Sequence, residues 1–110
     1  MAKKKPASLV ADIIKSGERI LIYTDGLTFR QFVRDPKTVD AVVRNFQIIG
    51  EAVVKLPGTF KHKHSQIPWK KIRAFRNRIV HNYSGVDQLV WDEKEKFLKE
   101  MLAVLKSSEI

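Results

Sequence analysis

Apolar residues recur at spacings of three and four along most of this chain of 110 residues, and this periodicity is the strongest constraint on its fold. The pattern is interrupted by residues that commonly end helices, at Gly26, Pro36, Pro57 and Gly85. No segment of the sequence shows the alternation of apolar and polar residues that is typical of a half-buried strand. The sequence therefore predicts an all-α protein.

Four segments between these breaks are long enough to be main helices, at residues 9–24, 36–56, 69–83 and 87–105. A capping box of Thr28 and Gln31 predicts a short extra helix after the first of them. Residues 58–68 are interpreted as a long polar connection. We predict an up-and-down four-helix bundle that forms a single domain over residues 7–110, after a flexible basic tail at residues 1–6.

The charge balance of the chain favours a polyanionic partner. It has 21 Lys and Arg residues against 12 Asp and Glu residues, which gives a net charge of +9. A surface with this excess attracts nucleic acid because each neutralised phosphate releases counterions, although it also serves solubility or binding to an acidic protein.

Other features of the composition exclude several classes of protein. Cysteine is absent, which excludes disulfides, thiolate metal sites and cysteine nucleophiles. No apolar run is long enough to span a membrane, and the initial MAKKK lacks the apolar segment of a secretory signal. We expect a cytoplasmic protein with no membrane partner.

The segment FRNRIVHNY, residues 75–83, places polar groups where a helix should build the core. On a helix that begins at Trp69, Arg76 and Tyr83 fall within the apolar stripe. A lone buried guanidinium costs several kcal/mol. Arg76 therefore requires a partner, for which Glu51 is a candidate, or its stripe borders a wet cleft.

The spacing of Arg76 and His81 indicates a dimer. The two residues lie about 140° apart around an ideal helix, so they cannot reach one phosphate through spacing alone. Either the helix loosens before His81 or a second copy of the chain supplies half of the site. We favour a dimer with twofold symmetry, which brings two copies of each side chain together.

The motif Arg76-Asn77, three residues, His81-Asn82-Tyr83 resembles the Arg-x4-His-x-Tyr motif of HEPN-domain ribonucleases, specifically the HepT-like toxins. The stretches IIGEAV and IPWKKIRAFRNRIVHNYSGVD, followed by Trp91, are similar to that family in the same order. The resemblance covers roughly residues 9–105.

This resemblance implies an HEPN-like bundle and a metal-independent endoribonuclease that acts as a homodimer, with RNA as substrate and no cofactor. Arg76 and His81 would be catalytic, and Asn77 would orient the site or hold a phosphate oxygen. Independently of the resemblance, an ion pair with Glu51 could hold the Arg76 guanidinium in position and so support the site. Histidine suits proton transfer near neutral pH, and the planar guanidinium of arginine suits phosphate. The candidates for contacts with the RNA backbone are Lys70, Lys71, Arg73 and Arg78, which otherwise form a solvated face.

The resemblance also implies a partner, the cognate nucleotidyltransferase antitoxin of a type VII HEPN/MNT toxin–antitoxin system. In that family the antitoxin adenylylates the motif tyrosine, here Tyr83. The bulky, negatively charged nucleotide would block the cleft and neutralise its positive potential.

Several alternatives stay open from the sequence. The bundle could be a non-catalytic HEPN module that binds nucleotide or a nucleotidyltransferase, or a nucleic-acid-binding regulator, although no convincing recognition helix is present. His81 could instead bind a backbone carbonyl at a helix end, and Tyr83 could pack in the core. His62 and His64 could suggest a metal pair, but without cysteine we interpret them as part of a solvated loop near RNA.

Overall fold

The computed structural model describes residues 5–81 and 85–107, without the side chains of His81 and Glu95. The helices are α1 (Pro6–Thr24), α2 (Phe29–Val33), α3 (Pro36–Lys55), α4 (Gly58–Lys63), α5 (Trp69–His81), α6 (Val86–Glu93) and α7 (Lys99–Ser107). One π-helical turn, Lys94–Leu98, joins α6 to α7. The described ranges contain no strand, so the prediction of an all-α bundle is confirmed. None of the described helices is long and apolar enough to cross a membrane.

The long helix α3 is the centre of the bundle. It packs against α1 along much of its length and against α5 on another side, while α6 also contacts it. Phe46 of α3 meets Phe75 of α5 edge-on, with ring centroids 5.0 Å apart, and Phe97 of the π-helical turn at 6.1 Å. All three rings are buried, and such edge-to-face pairs add stability beyond the area that they bury. This aromatic cluster holds α5 in a fixed position on α3.

The predicted starts of α2 and α3 are both present. Thr28 Oγ1 accepts a hydrogen bond from the Gln31 backbone N–H at 3.1 Å, and Gln31 Oε1 accepts one from the Thr28 N–H at 2.9 Å. At the start of α3, Asp35 Oδ1 accepts from the Thr38 N–H at 3.4 Å and Oδ2 accepts from the Thr38 hydroxyl at 2.7 Å. These caps satisfy backbone donors that a helix leaves unpaired at its first turn.

The segment that was interpreted as a long polar connection contains a helix, α4. The six residues of α4 are too few to show an apolar stripe, which is why their periodicity gave no signal. Trp69 holds this helix in place, because its indole N–H donates to the carbonyl oxygens of Lys61 at 3.0 Å and His64 at 3.1 Å. Phe60 completes the contact, with its ring 4.4 Å from the His64 ring and 6.3 Å from the Trp69 ring.

The last predicted helix is interrupted in its middle by the π-helical turn. Lys94, the first residue of that turn, is buried, and its ammonium lies 4.0 Å from the centre of the Trp91 ring. Trp91 in turn contacts Phe29 and Phe32 of the α2 helix, at 5.9 and 5.1 Å between ring centroids. Gly85 was expected to stop α5; the structure describes it as the residue that precedes α6, with a left-handed φ of 76° that favours glycine.

We predict that Asp35→Ala lowers the Tm by roughly 2–8 °C, the scale of a lost helix cap. Hydrogen bonds from Thr38 lower the pKa of Asp35. The ionised form is thus favoured by folding, and its contribution is present above the unfolded pKa of about 3.9 and lost as the pH falls through the lower folded pKa. Thermal unfolding followed by circular dichroism should show the difference between variant and wild type at neutral pH, and a smaller one in acid.

Asp40→Ala is the matched control, because Asp40 is an exposed aspartate of the same helix that lies outside its first turn. Equal losses of Tm in the two variants would contradict a specific capping role for Asp35.

Candidate active site on helix α5

The predicted site begins with Arg76, whose side chain lies against the backbone of α3 at Gly50. A methyl group at Gly50 would collide with Cβ and Cγ of Arg76 and would lie 3.5 Å from its Cδ. Arg76 is only half-buried, so its aliphatic stem is packed between the helices. The absence of a side chain at position 50 therefore explains how the apolar stripe of α5 can contain an arginine.

The polar end of Arg76 is only partly satisfied. One terminal nitrogen, Nη1, donates to Asn77 Oδ1 at 3.1 Å, whereas Nε is buried and has no hydrogen-bond partner among the described residues. Leaving a buried donor unpaired costs about 1–3 kcal/mol, and more for a charged group. The ion pair with Glu51 does not form in the described part of the chain, where Glu51 is exposed. Arg76 therefore presents a fixed, incompletely bonded cation.

The second predicted catalytic residue, His81, is the last residue of α5. The backbone is α-helical up to this position, so the helix does not change its winding between Arg76 and His81. The two residues thus remain about 140° apart around the helix axis. The side chain of His81 and the whole of Tyr83 lie outside the described residues, so their assigned roles stay predictions.

The four predicted RNA contacts, Lys70, Lys71, Arg73 and Arg78, are all exposed on α5. The first three line a cleft of about 650 Å³ between α4 and the start of α5, which we name the α4–α5 cleft. Arg78 is not part of its lining. The structure thus separates these residues into a group of three and a single arginine.

The α4–α5 cleft also contains basic residues that the sequence did not identify as a group. Lys61 lines it from α4, and burial together with the nearby charge of Arg73 lowers the pKa of Lys61. Sequence periodicity could not assign Lys61 to a face, because it lies on the short helix α4 that was taken for an irregular connection. The packing of α4 on Trp69 places Lys61 and Arg73 in the lining of one cleft.

The side chains of His62 and His64 lie in different surroundings. His62 lines the α4–α5 cleft. His64 stacks on Phe60, and its Nδ1 lies 3.0 Å from the Phe60 carbonyl oxygen, in hydrogen-bond contact. Both belong to α4 or its end rather than to a solvated loop, which corrects that expectation. No group of three or more potential metal ligands occurs among the side chains that the structure describes.

Comparison with known proteins identifies relatives over nearly the whole chain. The family profile "Ribonuclease HepT-like" matches residues 13–108. A protein of Methanocaldococcus jannaschii with a provisional RNase name is 38% identical over 93 residues, covering 84% of this chain and 77% of the relative. A second provisionally named RNase, from Caldanaerobacter subterraneus subsp. tengcongensis, is 38% identical over 107 residues, covering 90% and 96% of the two chains.

A third relative, from Thermococcus cleftensis, bears the provisional name ribonuclease HepT. It is 36% identical over 105 residues, which cover 94% of this chain and 92% of the relative. No solved structure matches the chain significantly.

We predict that Gly50→Ala lowers the free energy of unfolding by about 1–3 kcal/mol, the usual cost of forcing an atom into a packed contact. The added methyl group would meet the stem of Arg76 near its backbone, which cannot rotate away. Urea denaturation followed by circular dichroism would measure the change.

Gly17→Ala on α1 is the control. A methyl group there would meet the terminal Cδ2 of Leu102 at 2.7 Å, and the far end of a leucine can rotate to make room. We expect a smaller loss for this variant, and a Gly50→Ala protein as stable as wild type would argue against the close contact with Arg76.

Proposed function

Because the chain belongs to the HepT-like ribonuclease family, and is thus an endoribonuclease of the HEPN type that acts on RNA, we propose that it is the toxin of a toxin–antitoxin system and cuts RNA at a composite site between two copies of the chain. In this proposal each copy contributes Arg76 and His81 to one cleft. The reaction requires no metal ion, because arginine and histidine supply the charge and the proton transfers.

The observation that carries the proposal is the seating of Arg76. Its stem is packed over Gly50, one terminal nitrogen is bonded to Asn77, and its buried Nε has no partner among the described residues. A guanidinium held in one orientation is well suited to a phosphodiester, which would accept hydrogen bonds from its terminal nitrogens. A purely structural arginine would be expected to have its buried donor paired.

The helical geometry supports a site shared by two chains. Since α5 is α-helical through His81, Arg76 and His81 of one chain do not lie on the same side of the helix. A twofold axis beside α5 would place Arg76 of each copy near His81 of the other. A dimer also supplies two histidines, one for each proton transfer.

The proposed chemistry uses these groups in fixed roles. One His81 removes the proton of the 2′-hydroxyl, whose oxygen attacks the phosphorus, and the other protonates the departing 5′-oxygen. Bond formation and cleavage leave a 2′,3′-cyclic phosphate and a 5′-hydroxyl. The Arg76 guanidinium stabilises the negative charge that develops on the phosphoryl oxygens. Asn77 keeps the guanidinium oriented, whereas Glu51 forms no ion pair with Arg76 among the described residues and would support the site with the second copy present.

The nucleotidyltransferase partner that the family resemblance implies would act on the same site. We propose that the antitoxin transfers AMP to Tyr83, two residues beyond His81. The added phosphate would bind the Arg76 cations in place of RNA, and the adenosine would fill the cleft.

We predict that Arg76→Ala and His81→Ala each lower kcat/KM for RNA cleavage in EDTA by about 10²–10⁴-fold, the range for the loss of a proton-transfer group or a charge-stabilising donor. Arg19→Ala, which removes an exposed arginine of α1, should cleave like wild type. Cleavage is measured by gel electrophoresis of a labelled single-stranded RNA. Wild-type protein that binds RNA without cutting it would support the non-catalytic alternative instead.

Mixing wild-type and His81→Ala chains, refolded together, tests whether two chains share the site. If both histidines are needed, activity follows the square of the wild-type fraction, so an equal mixture keeps about a quarter of the activity. A site complete within one chain would keep half, which would contradict the composite site.

We predict that coexpression with the cognate nucleotidyltransferase adds AMP to the protein and abolishes its cleavage of RNA. Intact mass spectrometry should show the adduct on wild type and not on Tyr83→Phe, while Tyr23→Phe, at the other tyrosine of the chain, should still be modified. An unmodified wild type would refute the assignment of Tyr83.

A further inference from the structure

Every charged or ionisable side chain that lines the α4–α5 cleft is basic. Its charged or ionisable lining residues are Lys61, His62, Lys70, Lys71 and Arg73. No carboxylate is among the lining residues that the structure describes. A surface shaped only for solubility would mix the two signs of charge, so this concentration of cations indicates an anionic ligand.

Lys61 and Arg73 come from different helices and converge in this cleft. Neither forms an ion pair with a carboxylate in the described ranges. The lowered pKa of Lys61, caused by burial and then by Arg73, shows that the folded chain disfavours the charge on this ammonium. An anion between the two cations would remove that penalty.

A polar stripe of α5 leads from the cleft toward the proposed active site. Lys70, Arg73, Asn77 and His81 are spaced by three, four and four residues, so they form one stripe on the helix. The stripe is about 16 Å long at 1.5 Å per residue. It begins in the α4–α5 cleft and passes Asn77, which orients the guanidinium of Arg76.

We propose that the α4–α5 cleft binds the phosphodiester backbone of single-stranded RNA on one side of the scissile bond, a role that rests on the proposed function of the chain. Lys61 and Arg73 bind the backbone phosphates, and Lys70 and Lys71 add charge at the rim. The contacts are to phosphates rather than to base edges, so they position the strand without selecting its sequence.

The size of the cleft favours a single strand over a duplex. Helix α4 has six residues and is therefore about 9 Å long, which matches a few nucleotides. Domains specialised for double-stranded RNA contact successive grooves over about 16 base pairs. The whole described molecule extends 40 Å along its longest axis, and the cleft occupies only one part of it.

The test measures binding directly and does not depend on cleavage. Fluorescence anisotropy is recorded with a short single-stranded RNA methylated on every 2′-oxygen, which removes the nucleophile of the cleavage reaction. The proteins are wild type, Lys61→Ala, Arg73→Ala, the double variant and Lys61→Arg. Lys15→Ala is the matched control, because Lys15 is an exposed lysine of α1 that does not line the cleft.

We expect each alanine variant in the cleft to raise the Kd by about 3- to 10-fold, the scale of one charge-assisted contact at moderate salt. The slope of log Kd against log salt concentration should fall by about 0.7 for each phosphate contact removed. Lys61→Arg should keep both the affinity and the slope of wild type. Lys15→Ala should do the same.

A double variant with the Kd and salt slope of Lys15→Ala would overturn the proposal. Tighter binding of duplex RNA than of the single strand, with the same sensitivity to Lys61→Ala, would overturn the assignment of a single strand. Failure of the proposed function would give a different result from failure of the binding proposal. Wild type would leave unmodified RNA intact, while Lys61 and Arg73 would still determine the affinity for the methylated strand.

Discussion

The contact between the stem of Arg76 and the bare backbone at Gly50 is the interaction on which the site depends. It brings α5 close to α3 at the point where the apolar stripe of α5 contains a cation. The aromatic cluster of Phe46, Phe75 and Phe97 fixes the same pair of helices nearby. Packing thus supplies the orientation of the guanidinium, so a substrate bound as proposed would not have to order this side chain.

The positive charge on α5 is not limited to Arg76. The net charge of +9 is not spread evenly, because α4 and the first turns of α5 concentrate cations around one cleft. Burial, and then the nearby charge of Arg73, lower the pKa of Lys61, so the folded chain disfavours the charge on this ammonium. An anionic strand bound as proposed would favour that charge, so the stability of this region and the affinity for the strand would be linked.

Much of the fold was predictable from the sequence because its helices carry local signals. Thr28 and Asp35 cap the helices that they were expected to start, and the breaks at Gly26 and Pro57 lie where the chain turns. Such signals act within one or two turns of helix, so a single sequence contains them. The sequence also indicated that Arg76 requires a partner or a wet cleft, because it places a cation in the apolar stripe of α5.

The remaining features depend on contacts between distant segments. Which residue accommodates Arg76 could not be read from periodicity, and the structure gives Gly50 rather than an ion pair with Glu51. The α4–α5 cleft was not predictable because it lies between two helices that the indole of Trp69 joins through hydrogen bonds to the end of α4. The family resemblance identified the motif, whereas geometry was needed to separate Arg73 from Arg78.

The π-helical turn at Lys94–Leu98 changes the phase of the last helix. One extra residue per turn rotates every later side chain by about 100° relative to an uninterrupted helix. The segment before the turn can therefore direct Trp91 toward α2, while the segment after it directs Leu102 and Leu105 into the core beside α1. The continuous helix from α6 to α7 thus packs against both α2 and α1, and no loop is needed between the two contacts.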